Sequence, residues 1–139
     1  MGRALSVTWS DDLLTGNFEI DNQHKTFFVK ALRLVVACDL GQGSEAEIQR
    51  ALAFMREYAE QHFSEEERVM DAAGFPYATT HKEAHRAFLA ELAMNERAYA
   101  TATDKASAAF AIAEMAAAWL AHHIKIIDGL LVQFLRDHG

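Results

Sequence analysis

From residue 20 onward, apolar side chains recur every three to four positions. Ile20, His24, Phe27, Phe28, Ala31, Val35 and Cys38 fall on one stripe, the spacing of a helix with a single buried face. This first predicted helix ends near DLGQGS. Ser44 with Glu47 has the pattern of a capping box, after which Ala51, Met55, Ala59, His62, Glu66, Val69 and Met70 continue a second face. Gly74 and Pro76 stop it. Thr80 with Glu83 offers a capping box for a third helix, whose start could also lie a residue or two earlier, and whose stripe is His81, His85, Phe88, Leu89, Leu92 and Tyr99. A polar break at TATD precedes a fourth face of Ile112, Ala116, Trp119, Leu120, His123, Ile127, Leu130, Leu131 and Phe134. Residues 1–19 carry Trp9, Gly16 and Phe18 without sustained period and are expected to form an ordered arm.

Four helices joined by short connections pack as antiparallel neighbours. The expected architecture is all-α: one domain over residues 1–139, with an arm at 1–19 and an up-down-up-down four-helix bundle at 20–136. That topology brings the start of the first helix, the end of the second, the start of the third and the second half of the fourth to one end. His24, His62 with Glu66, His81 with His85, and His123 with Asp128 occupy those four places. At about 1.5 Å per residue, their depths agree to within roughly one or two turns.

Composition narrows the reading. The formal charge is -7, with 13 Lys and Arg against 20 acids and no basic stripe, which argues against nucleic acid and acidic membrane surfaces. A single cysteine, Cys38, excludes an intrachain disulfide and a CxxC metal site. A reducing, cytoplasmic setting fits, and the first residues, MGRALSVTWSDD, resemble neither an export signal nor a transit peptide. Gly2 and Ser6 match the short myristoylation pattern, which is common by chance. Ala106 to Leu135 is the most apolar stretch, but Glu114, His122, His123, Lys125 and Asp128 interrupt it. It is expected to be a core helix without membrane insertion.

The chemistry lies in the cluster. Residues four apart share a helix face, so His62 and Glu66, and likewise His81 and His85, each aim two donors at one point. A lone inward histidine is ordinarily a hydrogen-bonded core residue. Five of seven histidines at inward positions and one depth are hard to reconcile with packing alone, since each unpartnered polar group would cost about 1 to 3 kcal/mol. A metal is the shared partner that satisfies them. Imidazole suits iron, copper, zinc and nickel, and a carboxylate can bridge two ions. Two octahedral ions sharing two carboxylates and one oxygen would use five imidazoles and leave one position open for a small ligand. Glu65 and Glu67 read as a solvated face. Asp128 fits least well, because five residues from His123 is roughly 140° around a regular helix, so a local bulge or a flanking position is required. Spacing does not choose between His122 and His123, and His138 looks frayed and free.

The motifs IDNQH, HFSEEE, HKEAH and WLAHHIKIID resemble the hemerythrin family over nearly the whole chain, and the WSDD arm resembles its bacterial branch. The resemblance implies two iron ions with a bridging oxo or hydroxo group. It implies that His81, His85 and His123 fill one iron, that His24 and His62 hold the second, and that Glu66 and Asp128 bridge them. The WLxxHI context selects His123 over His122. Departures are slight: Phe75 precedes Pro76 where the family commonly has tyrosine, and the interval from His85 to His123 is longer than in invertebrate carriers.

The resemblance further implies reversible binding of O2 at the two-histidine iron, for carriage, storage or delivery, without enzymatic turnover beyond a weak side activity. The residues offer an independent reason. Ferritin-like di-iron enzymes surround their metals with four glutamates and two histidines, an anionic shell that favours oxygen activation. Here only two carboxylates are available, so the site should stop at a bound adduct. Leu120 and Ile124, with Trp119 nearby, are expected to wall a dry O2 pocket. The partners are then dioxygen and, for delivery, an oxidase that receives it; a monomer is expected. Other readings stay open: a di-iron oxidase or peroxidase, for which Tyr58 and Tyr77 are the nearest redox candidates; an O2 or nitric oxide sensor, which needs an output domain; a zinc site; and a metal-free interaction module.

Overall fold

The computed structural model describes residues 3–39 and 45–138. Gly2 of the acylation pattern and Ser44 of the first capping box lie outside them. Helix α1 is Phe18–Asp39, α2 is Glu45–Ala73 and α3 is Ala78–Thr101. Helix α4, Lys105–His123, continues through a five-residue π segment, Ile124–Asp128, into α5, Gly129–His138. These last three form one rod of 34 residues. α1 lies against α2 and α4, and α3 against α2 and α4. The result is the up-down-up-down four-helix bundle, and no strand occurs among the described residues.

Local chemistry sets the boundaries. α1 starts two residues before the predicted Ile20, because the Asn17 Oδ1 accepts the Ile20 amide at 3.0 Å and satisfies a free donor of the first turn. α2 ends where Gly74 takes φ +68°, which lets the Phe75 amide reach back to the Met70 carbonyl at 3.0 Å. Pro76 then forbids continuation. α3 starts at Ala78, the earlier of the two expected starts, so the Thr80–Glu83 box lies inside the helix and caps nothing. Asp104 caps α4, accepting the Ser107 amide at 3.0 Å and its hydroxyl at 2.7 Å.

The described part of the arm, residues 3–17, contains one short 3-10 turn, Asp11–Leu13. Its amides and hydroxyls spend themselves on helix carboxylates: Ser6 donates twice to Glu114, and Thr15 twice to the buried Asp21. Trp9 packs edge-on against Phe28 at 6.1 Å. The arm thereby ties α1 to α4.

The core has two parts. A large apolar cluster includes Phe27, Leu34, Met55, Phe63, Phe88, Ile112, Leu120 and Ile124. A small one contains Met70, Phe75 and Leu131. On α2, α3 and the rod, the donor residues fall at the boundary between these two sets in sequence, so a polar layer separates the apolar clusters. Two residues expected on inner faces, Val69 and Leu130, are exposed. The Val69 side chain is displaced by Met70, which is fully buried, and the π segment turns Leu131 inward in place of Leu130.

Length and composition alone would allow Lys105–His138 to cross a membrane, so its interrupting polar residues do not exclude it on that criterion. In the fold, its inner side carries His123, Asp128 and the apolar residues that meet α1 and α3. The buried thiol of Cys38 is pushed up by burial.

The π segment resolves the Asp128 difficulty. One turn closed by an i to i-5 hydrogen bond, from the Gly129 amide to the Ile124 carbonyl, adds a residue to the turn and brings His123 and Asp128 to the same side. Deleting the exposed Ile126 reduces their spacing to four, which a regular α turn also places on one face. The shortened chain is expected to keep its helical circular dichroism and its metal content. Intact helicity with lost metal would show that only the π turn orients Asp128.

Candidate metal centre

Seven side chains converge at one end of the bundle: His24 from α1, His62 and Glu66 from α2, His81 and His85 from α3, His123 from α4, and Asp128 from the π segment. None is more than 3% exposed. They form two groups, Glu66 with His81, His85 and His123, and His24 with His62, Glu66 and Asp128. Within each group one ligand atom per residue lies within 4.8 Å of the others.

The two carboxylates span both groups. Glu66 Oε1 is 2.7 Å from His81 Nε2 and 3.0 Å from His85 Nε2, while its Oε2 lies 3.7 Å from His62 Nε2. Asp128 Oδ1 is 3.0 Å from His81 Nε2 and 3.3 Å from His123 Nε2, while its Oδ2 is 2.9 Å from His24 Nε2. Each carboxylate therefore turns one oxygen to the three-histidine group and the other to the two-histidine group.

These atoms are close but not well paired. His24 Nε2, His62 Nε2, Glu66 Oε2 and both Asp128 oxygens are buried without hydrogen-bond geometry to any partner. His81 Nε2 and His123 Nε2 lie 3.1 Å apart, where one ring can donate to the other, and both also crowd Asp128 Oδ1. Leaving so many buried acceptors unsatisfied is costly, and two metal ions, one per group, would satisfy them together.

The electrostatics point the same way. Burial lowers His62 to about 4, with Glu66 only partly opposing it, so His62 is a neutral donor. Burial also acts to lower His81, but the carboxylates of Asp128 and Glu66 beside it outweigh burial and push the ring up to about 9. His123 is raised by the same two carboxylates against the pull of burial. Burial acts to raise Asp128, yet the close imidazoles of His123, His24 and His81 hold it well below the usual carboxylate range. Two buried anions thus draw protons onto neighbouring rings, as they would draw a metal.

A supporting ring of residues escaped the sequence reading. The His62 Nδ1–H donates to Gln23 Oε1 at 2.7 Å, and the Gln23 amide donates to Glu65 Oε2 at 2.9 Å. Because a carboxylate only accepts, Glu65 fixes which way the Gln23 amide points. His85 Nδ1 donates to Glu67 Oε2 at 2.9 Å. In both rings the Nδ1 proton leaves Nε2 free to face the centre. Glu65 and Glu67 are therefore not merely a solvated face. The signal was available in part: both sit one position from Glu66, on the flank of the inner face.

Aromatic rings brace the three-histidine group. Phe63 stacks on His85 at 4.0 Å and Trp119 on His123 at 4.4 Å, and Phe75 meets His81 edge-on at 6.4 Å. Trp119 is half-buried, and its stacking on His123 places it on the three-histidine side. Leu120 and Ile124 are fully buried in the large apolar cluster. His122 is exposed, and His138, at the helix end, stacks on Phe134 at 4.2 Å rather than fraying.

Comparison with known proteins agrees with this geometry. The sequence model described as Hemerythrin HHE cation binding domain matches residues 15–135. The chain belongs to the hemerythrin family. As a hemerythrin it is a non-haem iron, O2-binding protein whose cofactor is a di-iron centre, and the His/Glu/Asp cluster is a donor set suited to that cofactor. It is 30% identical over 131 residues to a bacteriohemerythrin of Pseudomonas paraeruginosa, covering 94% of this chain and 82% of the relative. A bacteriohemerythrin of Ralstonia nicotianae is 29% identical over 133 residues, covering 96% and 91%. A myohemerythrin of Riftia pachyptila is 28% identical over 120 residues, covering 86% of each chain.

The hemerythrin centre of this chain should depend on Gln23. Gln23→Ala frees the His62 ring to rotate and change tautomer, and is expected to weaken metal affinity by about 10- to 100-fold. Chelator competition measures this, with circular dichroism confirming an unchanged fold. Equal affinity would show that packing alone holds His62.

Proposed function

We propose that this protein binds O2 reversibly for carriage, storage or delivery, at a centre held by His81, His85 and His123 on one iron and His24 and His62 on the other, with Glu66 and Asp128 bridging. The carrying observation is that each carboxylate turns its two oxygens to different histidine groups. Five imidazoles, the two carboxylates and one shared oxygen would fill all but one position of two octahedral ions, and the two-histidine group is the one that would be left short. When bound, the di-iron centre supplies that open position and the electrons with which O2 is held.

The chain's own residues favour binding over turnover. Leu120 and Ile124 are buried beside His123 in sequence and supply apolar surface. They exclude water, a source of the protons that would release a reduced ligand. Tyr58 is half-buried and packs on Phe27 at 6.5 Å, and Tyr77 is 61% exposed. Among the described residues, neither hydrogen-bonds a donor of the cluster. A peroxidase or oxidase would use such a group, so turnover is the weaker reading.

The test is anaerobic iron analysis followed by optical spectra with and without O2. The unmodified protein should hold two irons and show a spectrum that appears with O2 and disappears on its removal. His123→Ala should abolish that spectrum and His122→Ala should leave it nearly intact. The reverse outcome would mean that the rod is rotated from the arrangement described.

Leu120 gives a second test. Truncating a fully buried leucine costs about 2 to 5 kcal/mol and here opens the apolar wall to solvent. Leu120→Ala is expected to retain iron and O2 binding but to lose its oxygenated spectrum in air much faster than the unmodified protein. An unchanged decay, with iron content verified, would remove Leu120 from the wall.

A further inference from the structure

All seven donors are sealed from solvent, so a cation needs a way in. A cleft of about 250 Å³ opens between α1 and α2, and Glu66 itself forms part of its lining. The other residues that matter there are Glu19, Gln23, Glu65 and Arg68. Their exposure is graded: Glu19 and Arg68 are exposed, Gln23 and Glu65 half-buried, and Glu66 only 3% exposed. Glu66 Oε2 has no hydrogen-bond partner.

We propose that this cleft is the loading route by which a divalent cation reaches the buried centre, with Glu19 and Glu65 drawing it inward, Glu66 receiving it and Arg68 opposing it. The proposal rests on the metal-centre reading above. Carboxylate and amide oxygens at successive depths are ligands that a hydrated divalent cation accepts while it sheds water stepwise. Glu66 then passes it directly to either group, because its two oxygens face both. The buried negative charge beneath extends the attraction, and a cleft with low-dielectric walls focuses it. A second cavity, between the arm and the rod, is lined by Lys125 and Arg136 as well as Asp12 and Asp137, and contains Ile124 but no donor of the cluster. Its two acids are offset by two bases, and it does not lead to the buried donors.

The same geometry makes two opposite predictions. Metal-free full-length protein is mixed with cobalt(II) in stopped flow at low ionic strength, and the growth of the cobalt absorbance is timed. Glu19→Gln should slow uptake and Arg68→Gln should speed it, each by roughly 3-fold, the effect of one surface charge at close range. Both differences should shrink in high salt, and the final absorbance per chain should match that of the unmodified protein. Glu57→Gln removes an exposed acid from α2 outside the cleft and should leave the rate unchanged. Equal rates for Glu19→Gln, Arg68→Gln and the unmodified chain would overturn the route, as would a Glu57→Gln effect as large as that of Glu19→Gln. No cobalt uptake by the unmodified chain would overturn the metal-centre reading, and the route with it.

Discussion

Two buried carboxylates organise this protein. Glu66 and Asp128 carry negative charge where almost no water reaches them, and a buried anion persists only when compensating groups surround it. Five imidazoles do so here, delivered by all the long helices. The bundle's topology is the cheapest way to bring them together, because antiparallel packing turns four distant points in sequence into one depth. Every other adjustment follows from that demand, including the extra residue in the rod and the aromatic rings stacked behind His85 and His123.

Much of this was legible beforehand. Helical periodicity located the four helices, and the depth of the histidines located the site, because both depend on regular repeats that sequence spacing reports directly. What periodicity could not report was departure from regularity. Asp128 looked misplaced on a regular helix, and only the π turn shows how it comes round. Leu130 and Val69 failed for a related reason: each lies at the edge of a stripe, where a small rotation decides between core and solvent. The family motif chose His123 over His122, and the structure shows the physical basis, one ring buried and its neighbour exposed.

The supporting hydrogen bonds were the least legible. Gln23, Glu65 and Glu67 are ordinary polar helix residues by composition, and their roles depend on which flank of the inner face they occupy. Gln23 bridges two helices by accepting from His62 and donating to Glu65, a contact between residues about forty positions apart that no local pattern reveals. The cap of the third helix was misread for the same reason. Thr80 and Glu83 have the right spacing, but Ala78 already continues from the tight Gly74–Tyr77 connection, so the helix is under way before the box begins.

The polar layer has one more consequence. It divides the interior into a large apolar cluster and a small one built on Met70, Phe75 and Leu131. Hydrocarbon contact cannot carry cohesion from one to the other, because imidazoles and carboxylates stand between them. The two compartments are therefore joined across polar side chains, and a cation held in that layer would act as the rivet of the bundle. How far the far end opens on its own is set by how well that layer is neutralised.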